Sequence, residues 1–422
     1  MRDPYAAAAV APRRPAPRTG QIAVTGLGLI TPLGTTLEAF DDALFNARSA
    51  VRSHTVALPR MEPFTMGVAA CDFDDSERSR SRLPLDRGTA MAMAAARAAF
   101  SASGLGAQAF DGDRLGVYWG SGMAGSASFD ATARGLYADA QRVRPTTVLT
   151  TMPNAAAAEI GLHFGARGAA LSYACACASS AVAIGEAMRA IRGGWIDVAI
   201  VGGHEAMLTP GTLASWHAMR VTAPPGDDPG ASCRPFAADR TGFALGEGAA
   251  ALVIESAAHA QARGTAAEWS LAGYATHCDG THMTQPDPAG QVRTLRAALA
   301  DAGLQPADIG YINAHGTGTQ AGDAAEASSV ATVFGRAVPI SSTKPLHGHL
   351  LGGGGVVELI VALRALTHGR LPAMADRGEV DPDVHLDLVR GAARPAPHLR
   401  HAMSNSFAFG GTNAVLIASR AG

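Results

Sequence analysis

Charge is scarce in this chain. Asp, Glu, Lys and Arg make up only 17% of its 422 residues, and they sum to −2. So small a balance excludes a broad electrostatic footprint for nucleic acid or an anionic membrane surface. Cysteine is sparse too: Cys71, Cys175, Cys177, Cys233 and Cys278. An odd number scattered over a long chain is no disulfide framework. With no signal-peptide pattern, the expected compartment is the reducing cytoplasm. No apolar run reaches the roughly 18–20 residues that cross a bilayer, so no membrane role is expected. Apolar residues are plentiful, at 47%, which is enough to build a large core.

Residues 1–20 hold four prolines and four arginines without any period and read as a flexible tail. Order begins at "QIAVTGLGLITPLG" (21–34), a strand-like run ending in glycines. Its G-x-G resembles a dinucleotide fingerprint, but Pro32 stands where the helix of that motif would open. Residues 86–103 read as a buried helix and 114–125 as a strand entering a Gly-rich turn. In 178–205, Val182, Ile184, Ala187, Met188 and Ile191 recur at helical spacing; Gly193-Gly194 then end the helix, and a buried strand follows. After residue 268 the alternation resumes, with helices near 290–303, 323–334 and 352–367, strands at 309–316 and 337–342, and a closing hairpin at 401–419. Strands alternating with helices predict a layered α/β fold. The chain divides into the tail 1–20, a half at 21–267 and a related half at 268–422.

The chemistry concentrates at "YACACASS" (173–180). A metal site needs about four ligands, and a redox pair has two intervening residues rather than one. Cys177 stands at the foot of the helix predicted from 178. Unpaired helix N–H groups there favour a thiolate and can receive an oxyanion. Cys175 lies two residues back, without that advantage, so Cys177 is the expected nucleophile. His315 ends one strand in "INAHGTGTQAGDAAE" and His349 ends another in "SSTKPLHGHLLGGGG", with Lys344 nearby. Strand ends are where α/β sheets place reactive groups. His347-Gly348-His349 imitates an H-x-H zinc fragment without a third ligand, so neither a metal nor a cofactor is expected.

These motifs make the chain similar to the β-ketoacyl-acyl carrier protein synthases. Within that family it looks closest to the elongating enzymes of fatty-acid and type II polyketide pathways. "VTGLGLITPLG", "ACASS", "NAHGTGTQAGDAAE", "STKPLHGHLLGGGG" and "SNSFAFGGTN" occur in order, with 138 residues from Cys177 to His315 and 34 from there to His349. The resemblance covers 21–420. It implies a thiolase-like fold, two related βαβ halves in an α-β-α-β-α arrangement. It implies that Cys177 carries an acyl thioester, and that His315 and His349, with Lys344, hold malonyl thioester through decarboxylation. Asp323, Glu326 and Glu358 are implied as support, and Phe409 as a gate whose N–H joins that of Cys177 in an oxyanion hole. Met123 and Trp216 match acyl-pocket positions. The implied partners are acyl- and malonyl-loaded carrier protein, and a second subunit, either a copy or a chain-length-factor-like chain. A decarboxylase, an acyltransferase and a non-elongating subunit stay open as alternatives.

Four positions depart from the pattern. Cys175 replaces a common threonine, Pro345 a serine, His347 a small Thr or Val, and Ala408 a glycine. A Cβ at Ala408 makes φ > 0 costly and predicts a stiffer gate. His347 is either a third titratable group or a space filler. Arg78, Arg80 and Arg82 form a basic run suited to an acidic carrier protein.

Overall fold

The computed structural model describes residues 21–421 apart from 60, 75, 77–83, 107–108 and 376–377. The run Arg78, Arg80 and Arg82 lies outside the described residues.

Eleven strands share one central sheet: β1 (Ile22–Ile30), β2 (Leu115–Gly120), β3 (Ala170–Tyr173), β4 (Val198–Glu205), β5 (Gly248–Ser256), β6 (Trp269–Cys278), β7 (Tyr311–Asn313), β8 (Pro339–Ser341), β9 (Asp387–Leu388), β10 (His401–Phe407) and β11 (Thr412–Arg420). Their spatial order is β9-β8-β7-β10-β11-β6-β1-β5-β4-β2-β3. Leaving out the short edge strand β9, this is one five-strand pattern used twice. Counted within each half, both run third-second-fourth-fifth-first. In both, the first and fifth strands pair antiparallel and the second and fourth pair parallel. The patterns join where Ile22, Ala23 and Val24 of β1 meet Leu271, Ser270 and Trp269 of β6.

Helices fill three layers. Ser179–Arg192 and Gly354–His368 lie in the middle, sharing one core with Val201, Leu252 and Ile254 from one pattern and Ala402, Ala414 and Leu416 from the other. Arg87–Ala102 and Ala155–Phe164 cover the outer face of the first pattern. Pro288–Ala302 and Gln320–Phe334 cover that of the second. The result is the layered thiolase-like arrangement.

One sequence reading gains its physical reason here and one changes. The glycines of "GLGLIT" serve packing. A Cβ at Gly26 would lie 2.0 Å from the Ala99 carbonyl oxygen and one at Gly28 2.3 Å from that of Ala95, so the pair lets Arg87–Ala102 settle onto β1. A stretch long and apolar enough to cross a membrane does exist: Leu351–His368, with mean hydropathy 1.2. It is 83% buried inside the protein, because a helix between the two halves of the sheet needs apolar residues all round.

Candidate active site

Leaving β3, the chain makes a tight turn, Ala176–Ala178, and enters the helix Ser179–Arg192. Ala176 has φ +46°, an uncommon conformation for a residue with a Cβ. Ser179 pins the turn: its Oγ accepts from the Cys175 N–H at 2.8 Å and donates to the Ala176 carbonyl at 2.7 Å. Gly120 makes room, since a Cβ there would stand 2.3 Å from Ser180 N. The turn sends the two cysteines to different places. Cys177 joins Met207, Leu213, Phe243 and Leu351. Cys175 packs with Tyr173 against the central core.

The second half brings its residues to Cys177. His349 Nε2 lies 3.1 Å from Cys177 Sγ. The His315 and His349 rings meet edge to face with centroids 5.5 Å apart. Lys344 Nζ is 3.5 Å from His315 Nδ1 and forms a buried ion pair with Glu358. An ammonium only donates, so this contact leaves the hydrogen of a neutral His315 on Nε2. Glu326 takes the N–H groups of His315 and Gly316 at 2.9 and 2.7 Å, and Asn405 Nδ2 at 3.0 Å. Asp323 takes those of Gly318 and Phe236 at 3.0 and 2.7 Å. Both carboxylates hold the loop that carries His315. Lys344 is the only lysine in the chain, against 33 arginines. Arginine serves every other cationic position, and this one alone holds a compact primary ammonium.

Electrostatics differ from the sequence expectation at the sulfur. Burial pushes the Cys177 thiol up to about 12; Lys344 opposes this, Glu358 and Glu205 add to it, and the Phe409 backbone N–H opposes it. Burial outweighs the Lys344 ammonium here and favours the thiol over the thiolate. Burial, then Lys344, holds both His315 and His349 well below the ordinary imidazole range. Both rings are neutral, so His349 Nε2 is placed to take the thiol proton as the sulfur attacks.

A cavity of about 290 Å³ opens over these atoms. Its apolar wall includes Trp216, Phe243, Phe407 and Phe409; Trp216 and Phe409 lie nearly parallel at 6.5 Å. Its polar wall includes Gln291, Thr317, Thr319 and Asn413. Met123 does not line this cavity, although it packs in the same cluster as Cys177 and Trp216. Ala408 lines it with φ −106° and ψ 155°, ordinary extended backbone. Gly410 and Gly411 carry the positive φ, at 83° and 77°, so the strain expected at Ala408 is absent. His347 is fully buried, with Nδ1 2.7 Å from the Gly348 carbonyl and Nε2 3.0 Å from Thr343 Oγ1.

Sequence reasoning missed Glu205. At the end of β4 it is fully buried and accepts from Ser121 Oγ and from the N–H groups of Gly122, Met123 and Gly352, all within 2.9–3.0 Å. Burial raises it to about 7 against those four bonds. A glutamate after "IVGGH" looks like a strand end, and only the fold shows two separate turns, at 121–123 and at Gly352, converging on it.

The ligand atoms of Cys177, His315 and His349 lie within 4.8 Å of one another. That spacing suits a thiol–imidazole pair and also a soft metal ion. A divalent cation would have to meet the Lys344 ammonium beside His315. His347, the other half of the H-x-H fragment, is absent from the group.

Comparisons with known proteins agree with this geometry. Residues 19–260 match the family described as "Beta-ketoacyl synthase, N-terminal domain", and 269–376 match the corresponding C-terminal domain. Nodulation protein E of Rhizobium sp. (strain N33) is 36% identical over 94% of this chain and 98% of its own. The 3-oxoacyl-[acyl-carrier-protein] synthase 2 of Staphylococcus aureus (strain COL) is 34% identical over 94% and 97%. Among solved structures, a type II PKS acyl-carrier protein in complex with its ketosynthase matches with TM-score 0.87 and 26% identity, over 96% of this chain and 100% of the other. The ishigamide ketosynthase/chain length factor matches with TM-score 0.85 and 30% identity, over the same shares. With a thiol, two neutral imidazoles and a lysine gathered under one cavity, and with both halves matched, the chain belongs to the β-ketoacyl synthase family of acyl-transferring condensing enzymes.

Proposed function

We propose that this enzyme elongates carrier-bound acyl chains by decarboxylative condensation in a type II polyketide or fatty-acid pathway. The first half, 21–267, supplies the nucleophile; the second, 268–422, supplies the groups that manage charge. Cys177 attacks the acyl thioester of a carrier protein while His349 Nε2 takes its proton. The tetrahedral oxyanion rests on the N–H groups of Cys177 and Phe409, and collapse gives acyl-Cys177 and the carrier thiol, which receives the proton. Malonyl carrier then binds with its thioester oxygen at the Nε2–H of His315 and at His349, whose single ring hydrogen moves from Nδ1 to Nε2 once the sulfur is acylated and no longer offers a proton. Carbon dioxide leaves, the enolate carbon attacks the acyl carbonyl, and the Cys177 sulfur departs and is reprotonated. Asp323, Glu326 and Glu358 keep His315 and Lys344 in register; Trp216 shapes the acyl pocket, with Met123 in the cluster around it, and Phe409 gates it. Two donors in a dry site suit a developing enolate, and losing one such donor costs about 2.7–4 kcal/mol in comparable sites.

The observation that carries this reading is the 3.1 Å approach of His349 Nε2 to Cys177 Sγ. Intact-mass analysis with acyl and malonyl carrier proteins tests it. The wild type should gain an acyl mass on Cys177 and release a product two carbons longer; Cys177→Ala should do neither, and Cys175→Ala should keep most of both. Acyl loading that survives Cys177→Ala sinks the assignment. Carbon dioxide without elongation identifies a decarboxylase, and no loading at all identifies a non-elongating subunit. We further propose Arg78, Arg80 and Arg82 as the landing run for the carrier protein. Charge reversal at Arg80 and Arg82 should raise its KM with kcat unchanged, and an unaltered KM at low salt counts against that run.

A further inference from the structure

His347 is one of the four departures from the pattern that the family resemblance implies. One ring nitrogen reaches the Gly348 backbone and the other the Thr343 side chain. Nδ1 lies 2.7 Å from the Gly348 carbonyl oxygen; a carbonyl only accepts, so Nδ1 carries the hydrogen. Nε2 is then the acceptor for the Thr343 hydroxyl at 3.0 Å. Thr343 precedes Lys344, and Gly348 precedes His349. One imidazole is therefore fastened next to both. Its far end is anchored deeper still. Thr343 Oγ1 accepts from Asn313 Nδ2 at 3.4 Å, Asn313 Nδ2 also reaches Tyr311 Oη at 3.2 Å, and Tyr311 Oη shares a hydrogen with Ser341 Oγ at 2.8 Å. This buried chain ties the turn to β7 and β8.

His349 needs such a brace. Its Nε2 is committed to Cys177 and its Nδ1 has no partner among the described residues, so no other side chain orients the ring by hydrogen bonding. The ring direction rests on its backbone and on Phe243, whose ring meets it edge to face at 5.2 Å. The backbone is held by Ala244 and Gly246 on one side and by the His347 bridge on the other.

We propose that His347 is a positioning residue that fixes the spacing between the Lys344 ammonium and the His349 imidazole. The inference rests on the elongation reading above. Burial takes His347 down to about 3, so the ring keeps its neutral, bridging form across the working pH range.

Steady-state elongation and thermal melting of His347→Val, His347→Asn and Thr343→Val test it, with wild type in the same assay. Asn retains a donor for the Gly348 carbonyl; Val retains none. His347→Val should lose kcat by about tenfold, the size of effect expected from a sub-ångström misplacement, with KM for malonyl carrier within about twofold. His347→Asn should recover most of that loss, and Thr343→Val should fall between them. A His347→Val kcat within about twofold of wild type overturns the proposal. So does an Asn variant that falls as far as Val, which means filled space rather than a bridge. If His347→Val does not fold, the Asn and Thr343→Val variants decide by the same kcat-against-KM comparison. A wild type that does not elongate refutes the parent reading instead.

Discussion

Two cysteines one residue apart end in different clusters, and the difference is chemical as well as spatial. Burial raises the Cys177 thiol to about 12 and also raises Cys175. The sign for Cys177 follows directly. Below its pKa the thiolate fraction grows about tenfold per pH unit, so alkylation should grow with it. We expect the iodoacetamide rate at the Cys177 peptide, followed by mass spectrometry, to climb with near-unit slope from pH 7 to pH 10. A plateau below pH 8 would mean that the helix start does ionise this sulfur, and that His349 is no longer needed as its base. The expected thiolate came from reading the helix end correctly while missing what surrounds it. Met207, Phe243 and Leu351 arrive from distant segments, and no local pattern announces that they will desolvate residue 177. The identities of Cys177, His315, His349 and Lys344 were legible because they lie in three short motifs, Lys344 and His349 sharing one. Glu205, Phe243 and Phe407 were not, because each acts only through neighbours far off in sequence.

Elements place these residues by how closely they approach. The helix Ser179–Arg192 begins directly over β2 and β4, where a Cβ at Gly203 would stand 2.6 Å from Ser180 Cβ and 2.7 Å from the Gly120 carbonyl. Overpacking a tight core costs about 1–3 kcal/mol. Gly203→Ala should therefore lower stability by that amount in chemical denaturation and, by lifting the helix start, slow acyl loading of Cys177 about tenfold or more. Loss of stability with normal loading would show that the turn, held by Ser179, keeps its place without the helix. The alternation of strands and helices made these elements readable. Their partners were less so: the glycines of "GLGLIT" give no sign that Arg87–Ala102 lies across them, and Leu351–His368 gives no sign that both halves of the sheet cover it. In both, the missing fact was what packs against the segment, which periodicity alone does not carry.

At the scale of the molecule, the two ends of the sheet are unlike. The β9 end is two residues long, and its Asp387 is engaged by Arg394. Short, charged edges resist further pairing. The β3 end, Ala170–Tyr173, carries no charge, and three of its four residues are exposed. Beside it the helices Ser126–Tyr137, Thr147–Thr151 and Ala155–Phe164 pack in succession. Nine of the thirteen exposed large hydrophobic side chains among the described residues fall between 129 and 171, including Phe129, Tyr137, Val148 and Leu162. That segment is about a tenth of the described chain, so the concentration marks an interaction face rather than ordinary surface. An open edge strand flanked by apolar helices suits a second chain of the same fold, joined edge to edge across a twofold axis. We expect light scattering to give twice the single-chain mass for the protein alone, or a one-to-one complex once a chain-length-factor-like subunit is co-expressed. Leu171→Arg, which puts a charge on the open edge, should yield single chains that still melt cooperatively. A wild type that stays monomeric with and without such a subunit, or a Leu171→Arg variant that keeps the doubled mass, would assign this apolar face to something other than a second chain.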